Sequence, residues 1–327
     1  MQRRSFLTGL GAVAAGTALP AYGATGSATA ADAAGTAASL RLTPRPSLDP
    51  RIREWQHAKN TGFERSWCTQ FQGMCTDGTF WYVVSNAPGN QRLYKLSLDF
   101  SVQYGTLAAP PGSGHIGAPT FDTQRGVVYV PIEQSEPPRI WKVSRDLRTV
   151  GIVSMWGRSI GSPAPQRSKN PWLAFNPFDT LVYSSVFGSS DSAFQRVDHL
   201  WGYDRDSGRL VKEIPLPSGL HHVQGATFGG NDGRNLYIAS DYEEASNGRK
   251  HVYAYDFSQP RDGVSPPYWG KIAIPDAGNE VECVVWAHLT WSDARDTHIT
   301  VGILDDFEID GENVYFRHFW VPSPERL

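Results

Sequence analysis

The sequence has little cysteine and no grouping of it that chelates. Three cysteines stand among 327 residues, with no CxxC pair and no Cys/His spacing of the structural-zinc kind. Long amphipathic stripes are missing too. Beyond the first thirty residues no sustained 3.6-residue apolar period appears, which argues against a helical domain. There is no G-x-S-x-G elbow, no phosphate-cradling glycine loop and, with no helical pattern to follow a glycine-rich turn, no dinucleotide fingerprint. The stretch from Phe187 to Asp191 reads as a turn between strands, because no helical pattern follows it. Charge is nearly balanced at −3, which leaves no electrostatic footprint for nucleic acid.

What is present is apolar, aromatic and heavily punctuated. Hydrophobic residues make up 40% and aromatics 12%, enough for a large core, while 32 glycines and 23 prolines break the chain into short runs. That combination predicts an all-β fold.

The N-terminus carries its own signal. Arg3-Arg4-Ser5-Phe6-Leu7 precedes an uncharged, Ala- and Gly-rich stretch that ends in Ala28-Thr29-Ala30. This resembles a twin-arginine export leader with its cleavage site. Gly, Thr and Pro20 interrupt the apolar run and no stop-transfer flank follows, so the mature chain is expected to have no membrane span. The expected organisation is a leader over 1–30, a spacer with a closing strand over 31–46, and one domain over 47–327, secreted or extracytoplasmic and monomeric. Export permits disulfides, and Cys75 with Cys283 competes with Cys68 with Cys75 as a pairing, against three unpaired buried thiols.

From Phe71 onward one pattern recurs: a polar residue beside a small one, a short apolar run, a Gly/Asp/Asn turn, then an aromatic-rich strand ending in polar residues. The openings lie at Phe71, His115, Trp172, His222 and Glu280, roughly 44 to 58 residues apart, near the ~40–50 residues of propeller blades. The prediction is a single five-bladed β-propeller. The last repeat is one strand short, and Leu40 to Pro44 is the candidate outer strand that closes it, since an open sheet edge invites aggregation. Asp49 to Asn60 reads as a short helix, with Asp49 as N-cap and Pro50 at its first position.

In such a ring, polar residues at equivalent repeat positions converge on one channel mouth. The openings contribute Gln72, His115, His222, Gln224, Glu280 and Glu282; the second-strand ends contribute Asn86, Glu133, Asp241, Glu243, Asp305 and Asp306. His115 and His222 near Glu133 or Asp241 have the composition of an acid/base pair, because imidazole titrates near neutrality and a carboxylate neighbour tunes it. Glu282 joins them as a catalytic candidate, with Gln72, Asn86, Gln224 and Glu280 as substrate-binding residues. The same donors could hold a divalent cation, calcium through the carboxylates or zinc through the imidazoles. Asp305, Asp306, Asp310 and Glu312 lack calcium-loop spacing and read as a solvated acidic loop. Most tryptophans should wedge between blades, whereas Trp67, Trp172 and Trp286 near strand openings could stack on a sugar ring.

Gln72-Gly73 after Thr69, Val223-Gln224-Gly225 and Asn279-Glu280-Val281-Glu282 resemble the QG and N-E-L-E motifs of five-bladed glutamine cyclotransferase-like propellers. The resemblance covers about a dozen positions in repeats one, four and five. It implies a carboxylate at the channel mouth, Glu282 or Glu280, acting on an N-terminal glutamine. His115 and His222 depart from it, as does the acidic motif, which falls in the fifth repeat where the fourth is expected. More widely the chain resembles secreted bacterial propellers, whose members include lactonases, glycosidases, polysaccharide lyases and binders without catalysis.

The functional expectation is an exported hydrolase or lyase on an extracellular carbohydrate or related small molecule. The alternatives are a glutaminyl cyclotransferase-like enzyme and a propeller that binds a glycan or peptide without turnover. The leader generates one direct test: intact-mass measurement of protein recovered outside the cytoplasm should show residues 1–30 removed, and a retained Met1 refutes the cleavage.

Overall fold

The fold was analysed in a computed structural model, which describes residues 56–63, 70–87, 89–188, 196–229, 233–242, 250–274, 280–287, 299–304 and 314–320. The chain divides into residues 1–46 and a compact unit, Ser47–Leu327, and all described residues lie in the second. The leader, the spacer and the segment Leu40 to Pro44 are outside the described residues, as are Trp67, Cys68 and the loop 305–313.

The all-β expectation holds: the described residues contain strands and turns and no helix. After β1 (Gln56–Phe63) comes a four-stranded antiparallel meander of β2 (Phe71–Thr76), β3 (Phe80–Ser85), β4 (Arg92–Ser97) and β5 (Gln103–Ala108). In the second sheet β6 (His115–Ile116) and β7 (Thr120–Asp122) both pair with β8 (Val127–Glu133), followed by β9 (Arg139–Ser144) and β10 (Thr149–Ser154). A seven-stranded sheet runs through β11 (Ala174–Phe175), β12 (Leu181–Ser184), β13 (Val197–Asp204), β14 (Leu210–Gly229), β15 (Asn235–Tyr242), β16 (Lys250–Asp256) and β17 (Tyr268–Ile274). It is two meanders joined by β14, which pairs with β13 up to Leu220 and with β15 from His221. The last sheet holds β18 (Glu280–Trp286), β19 (Ile299–Leu304), β20 (Val314–Trp320) and, as its outer strand, β1.

The burial patterns explain why the runs became strands. β3 and β8 are buried almost throughout, as strands covered on both faces must be. β4 and β9 share one pattern, with Arg, Lys and Ser positions partly exposed and the apolar ones buried. β5 and β10 are mostly exposed, which marks them as outer strands. The innermost strands touch in cyclic order, β2 to β7 to β11 to β14 to β18 and back to β2.

An N-terminal strand does complete the last sheet, as the short final repeat requires, but the segment is β1. Gln56 to Phe63 pairs antiparallel with Trp320 back to Val314. Residues 56–60 are therefore extended, where the sequence suggested the end of a helix. The unpaired edge of β20, a run of β-branched and aromatic residues, overrides the local preference of Gln56-His57-Ala58-Lys59.

Ion pairs on buried or half-buried carboxylates tie strands and turns together, two of them across neighbouring meanders. Asp77 caps its own turn by accepting from Thr79 and Phe80 N–H, and its other oxygen accepts from Tyr82 Oη at 3.1 Å. Arg145, from the β9–β10 turn of the next sheet, reaches that carboxylate at 3.4 Å and lies over the Phe121 ring. Asp122 repeats the device: it caps at Gln124 and Arg125, accepts from Tyr129 Oη at 2.7 Å and pairs with Arg205 at 2.6 Å, whose guanidinium covers Phe175. Asp179 and Tyr183 form a third copy, but here the cation is Lys212 at 2.9 Å, from β14 of the same meander. Burial, and then the adjacent carboxylate, push all three tyrosines above their ordinary pKa. Cys75 and Cys283 are buried free thiols, so neither pairing involving Cys75 is formed.

The inner strands approach so closely that glycine is required between two of them. Gly73 has φ +126°, and a Cβ there would lie 2.6 Å from Ala118 Cβ and 2.8 Å from Ala118 Cα. Neither contact is a flexible side-chain end. Gly73→Ala should therefore cost about 2–4 kcal/mol and lower Tm by roughly 4–16 °C; an unchanged melting curve refutes the close packing.

Candidate functional site

The interior of the ring is polar at one end and apolar at the other. Where the inner strands begin, a cavity of ≈ 170 Å³ is bounded by residues from every meander. Gln72 comes from β2, His115 from β6, Glu133 and Gln134 from the end of β8, Gln224 from β14 and Glu282 from β18. Lys169, Pro171 and Phe187, from segments flanking β11 and β12, complete the wall. Toward the other end of the same strands, about 13 Å away at ~3.3 Å per residue, a cavity of ≈ 180 Å³ is lined by Met74, Phe121, Phe175, Phe228, Val285 and Trp286 among others.

Three of the polar lining residues project for the same reason. The β2–β3 register skips between Phe71 and Gly73, the β14–β15 register between Val223 and Gly225, and the β18–β19 register between Val281 and Cys283. The extra residue in each bulge is Gln72, Gln224 and Glu282. A bulge re-aims a side chain that a regular strand would direct elsewhere. The glycines that follow allow the close approach: a Cβ on Gly225 would meet Cys283 Cα at 2.6 Å. Glu282 is almost completely buried.

His115 and Glu133 are cross-strand partners in the β6–β8 ladder, which sets their side chains side by side. His115 Nδ1 is 3.8 Å from Glu133 Oε2, beyond hydrogen-bond reach, and this buried nitrogen has no hydrogen-bond partner among the described residues. Burial pushes the imidazole below its ordinary pKa; Glu133 opposes the shift and Lys169 adds to it. His115 is thus neutral at pH 7. Glu133 Oε1 accepts the Asn170 N–H at 3.3 Å. Asn170 is itself held by Ser184 Oγ donating to its Oδ1 at 2.7 Å and by its Nδ2 donating to the Arg139 carbonyl.

Several expected residues lie elsewhere. His222 does not line the cavity; its ring stacks on Phe187, centroids 4.8 Å apart, and Phe187 forms the wall. Of the two histidines, only His115 lines this cavity. Asp241 forms an ion pair with Lys250 and accepts the Val281 N–H at 3.0 Å. Asn86 Oδ1 accepts the Ile116 N–H at 3.3 Å, which fixes the strand that carries His115. Glu280 stands behind the lining and accepts from Gln224 Nε2 at 2.8 Å. Trp172 is fully buried, with Nε1 donating to Ser185 Oγ, so it presents no face to a ligand. Trp286 stacks on Tyr237 at the apolar end. Trp67 and Glu243 are outside the described residues.

A pattern emerges among the second-strand ends. Asn86, Glu133 and Asp241 each accept a backbone N–H from the beginning of the next meander. Their recurrence in the sequence reflects this latch between sheets, and only Glu133 also faces the cavity. Conversely, sequence reasoning missed Lys169, Gln134 and Phe187. Lys169 lies just before the third repeat, in a stretch without strand pattern, where the repeat grammar gave no signal for it. Among the described residues, no three His, Cys, Asp or Glu side chains are grouped to hold a metal ion.

No family model and no curated protein matches the sequence. Solved structures do. A glutaminyl cyclase from Myxococcus xanthus is similar over 82% of this chain and 97% of its own, at TM-score 0.52 and 10% identity. Hydrazine synthase from Kuenenia stuttgartiensis matches over 78% of this chain and 67% of its own, at 13% identity and TM-score 0.42. A luciferin-regenerating enzyme matches over 81% and 98%, at 13% identity and TM-score 0.40. At such identities the first likeness speaks for the fold alone, and that fold is a β-propeller, weakly resembling the glutaminyl cyclase one.

Proposed function

We propose that this chain is an exported five-bladed β-propeller enzyme, a hydrolase or lyase that acts on an extracellular carbohydrate or related small molecule in the cavity of His115, Glu133 and Glu282. The cyclic order of the inner strands supports the blade count, and the Arg3-Arg4 leader supports export. One observation carries the catalytic reading: a neutral imidazole whose buried Nδ1 has no hydrogen-bond partner among the described residues stands beside a buried carboxylate at the point where the meanders converge. Leaving such a nitrogen unsatisfied costs about 1–3 kcal/mol. A reacting group or substrate that supplies its partner recovers that cost at the moment of binding.

In this mechanism His115 is the base and Glu133 steadies the imidazolium that forms as it takes a proton. Glu282, across the cavity, accepts a hydrogen bond from the substrate or exchanges a proton with the leaving group. Gln72 and Gln224 orient the substrate through their amides. The chain needs no second copy to complete this cavity and is proposed to act as a monomer.

A second reading is cyclisation of an N-terminal glutamine. It rests on Gln224 and Glu282 sharing the cavity with Glu280 hydrogen-bonded to Gln224. A glutaminyl peptide separates the two: under this reading Glu282→Gln abolishes its turnover and His115→Gln leaves it nearly intact.

Under the first reading, a panel of polysaccharides and lactones should yield a substrate on which His115→Gln lowers turnover roughly 10²- to 10⁴-fold with folding preserved. Early melting with normal turnover per folded molecule refutes the assignment. The pH profile has a definite sign. Because the folded imidazole titrates below 6.5, the base is already neutral above that pH. Activity should hold steady as pH falls to 6.5 and decline only below it; an acid limb centred above 6.5 contradicts His115 as the base.

A further inference from the structure

We propose that the cavity selects a sugar acid: a single hydroxylated ring whose carboxylate pairs with Lys169 while its hydroxyls meet Glu282, Gln72 and Gln224. The inference rests on the carbohydrate reading of the site and names the substrate class within it.

Lys169 belongs to the long connection between β10 and β11, which is fastened to the cavity wall around it. Gln134 N–H donates to the Ser168 carbonyl at 3.0 Å, Lys169 N–H to the Gln166 carbonyl at 3.0 Å, and Asn170 N–H to Glu133. The backbone is thus held on both sides while the side chain lines the cavity. Among the described residues the ammonium has no hydrogen bond and no ion pair, although Glu133 and Glu282 line the same cavity. Because the ammonium pairs with neither carboxylate, it is the place on this wall where a ligand's negative charge is attracted instead of repelled.

The rest of the lining says which anion. With two carboxylates and one ammonium on the wall, a dianion is repelled about twice as strongly as a monoanion, so a singly charged carboxylate held at the ammonium is favoured over a phosphate. Glu282 accepts hydrogen bonds, and Gln72 and Gln224, whose Nε2 groups already donate to the Phe71 carbonyl and to Glu280, add amide oxygens that accept, which complements a ring of donating hydroxyls. Size agrees. A cavity of about 150 Å³ takes a benzene-sized ring, so ≈ 170 Å³ admits one sugar ring, with the rest of a chain left outside.

The test is calorimetric titration of the mature chain with a uronate trisaccharide and with its carboxyl-reduced, neutral counterpart. The acid should bind at least about tenfold more tightly, with the preference shrinking as salt rises. Lys169→Gln should abolish that preference with Tm unchanged, and Lys169→Arg should retain part of it. Equal affinities, binding of neither sugar, a preference that survives Lys169→Gln, or tighter binding of a sulfated neutral trisaccharide would each overturn the proposal. Turnover distinguishes its failure from that of the underlying reading. Cleavage of neutral glycans without acid preference sinks the carboxylate inference alone, whereas turnover of a glutaminyl peptide and of no sugar sinks both.

Discussion

The closeness of the inner strands is the constraint from which the rest of the structure follows. Gly73 faces Ala118, Gly225 faces Cys283, and a Cβ on Gly117 would fall 2.0 Å from the Pro171 carbonyl oxygen. At these joints backbone packs against backbone, and no side chain fits between. The side chain of the neighbouring residue must then go elsewhere, and in β2 and β14 that neighbour is the bulged Gln72 or Gln224, turned into the channel. The glycine and the site residue are two consequences of one local geometry. A substitution at Gly73 thus acts on stability and on the site together.

The same economy governs the polar groups around the channel. A strand end next to another sheet presents N–H groups that must be satisfied. Asn86, Glu133 and Asp241 satisfy them from the preceding meander. Asp241 is further committed to Lys250, so its charge is neutralised within the wall. Glu133 differs because its second oxygen stands beside His115 without hydrogen-bonding to it. One repeated structural position has therefore acquired a second, chemical use in a single copy.

Much of this was legible in the sequence. The alternation of apolar runs with Gly/Asp turns fixes strands and their meander order, and the short last repeat requires an N-terminal partner for β20. Which segment serves was not legible: Gln56 to Phe63 carries residues tolerated in a helix, and the decision lies with the β20 edge, which is far away in the sequence at Val314 to Trp320. Gln72, His115, Glu133, Gln224 and Glu282 could be named because equivalent repeat positions converge in a ring. His222 could not be told from them, since its departure depends on φ +48° and on the Phe187 ring. Trp172 failed as a platform because an aromatic at a strand opening looks the same in sequence whether it faces a ligand or the core. Lys169 falls outside the repeat grammar, and only packing brings it to the cavity.

The polarity of the channel bears on where chemistry can occur. Along β2, β14 and β18 the lining changes from Gln72, Gln224 and Glu282 to Met74, Phe228 and Trp286. Three of the threonines among the apolar residues are occupied: Thr76 Oγ1 donates to the Phe80 carbonyl, Thr120 Oγ1 accepts from Phe175 N–H, and Thr227 Oγ1 accepts from Trp286 N–H. That end offers a substrate little to exchange a proton with. At the strand openings, burial of His115 and Glu133 beside open volume keeps the local dielectric low while leaving room for a ligand. A charge that develops there is felt more strongly than at the surface, and each group that meets it is already held by the backbone latches. Holding the groups before the substrate arrives removes a reorganisation cost from the reaction, which is what a rigid ring of strands can contribute that a mobile loop cannot.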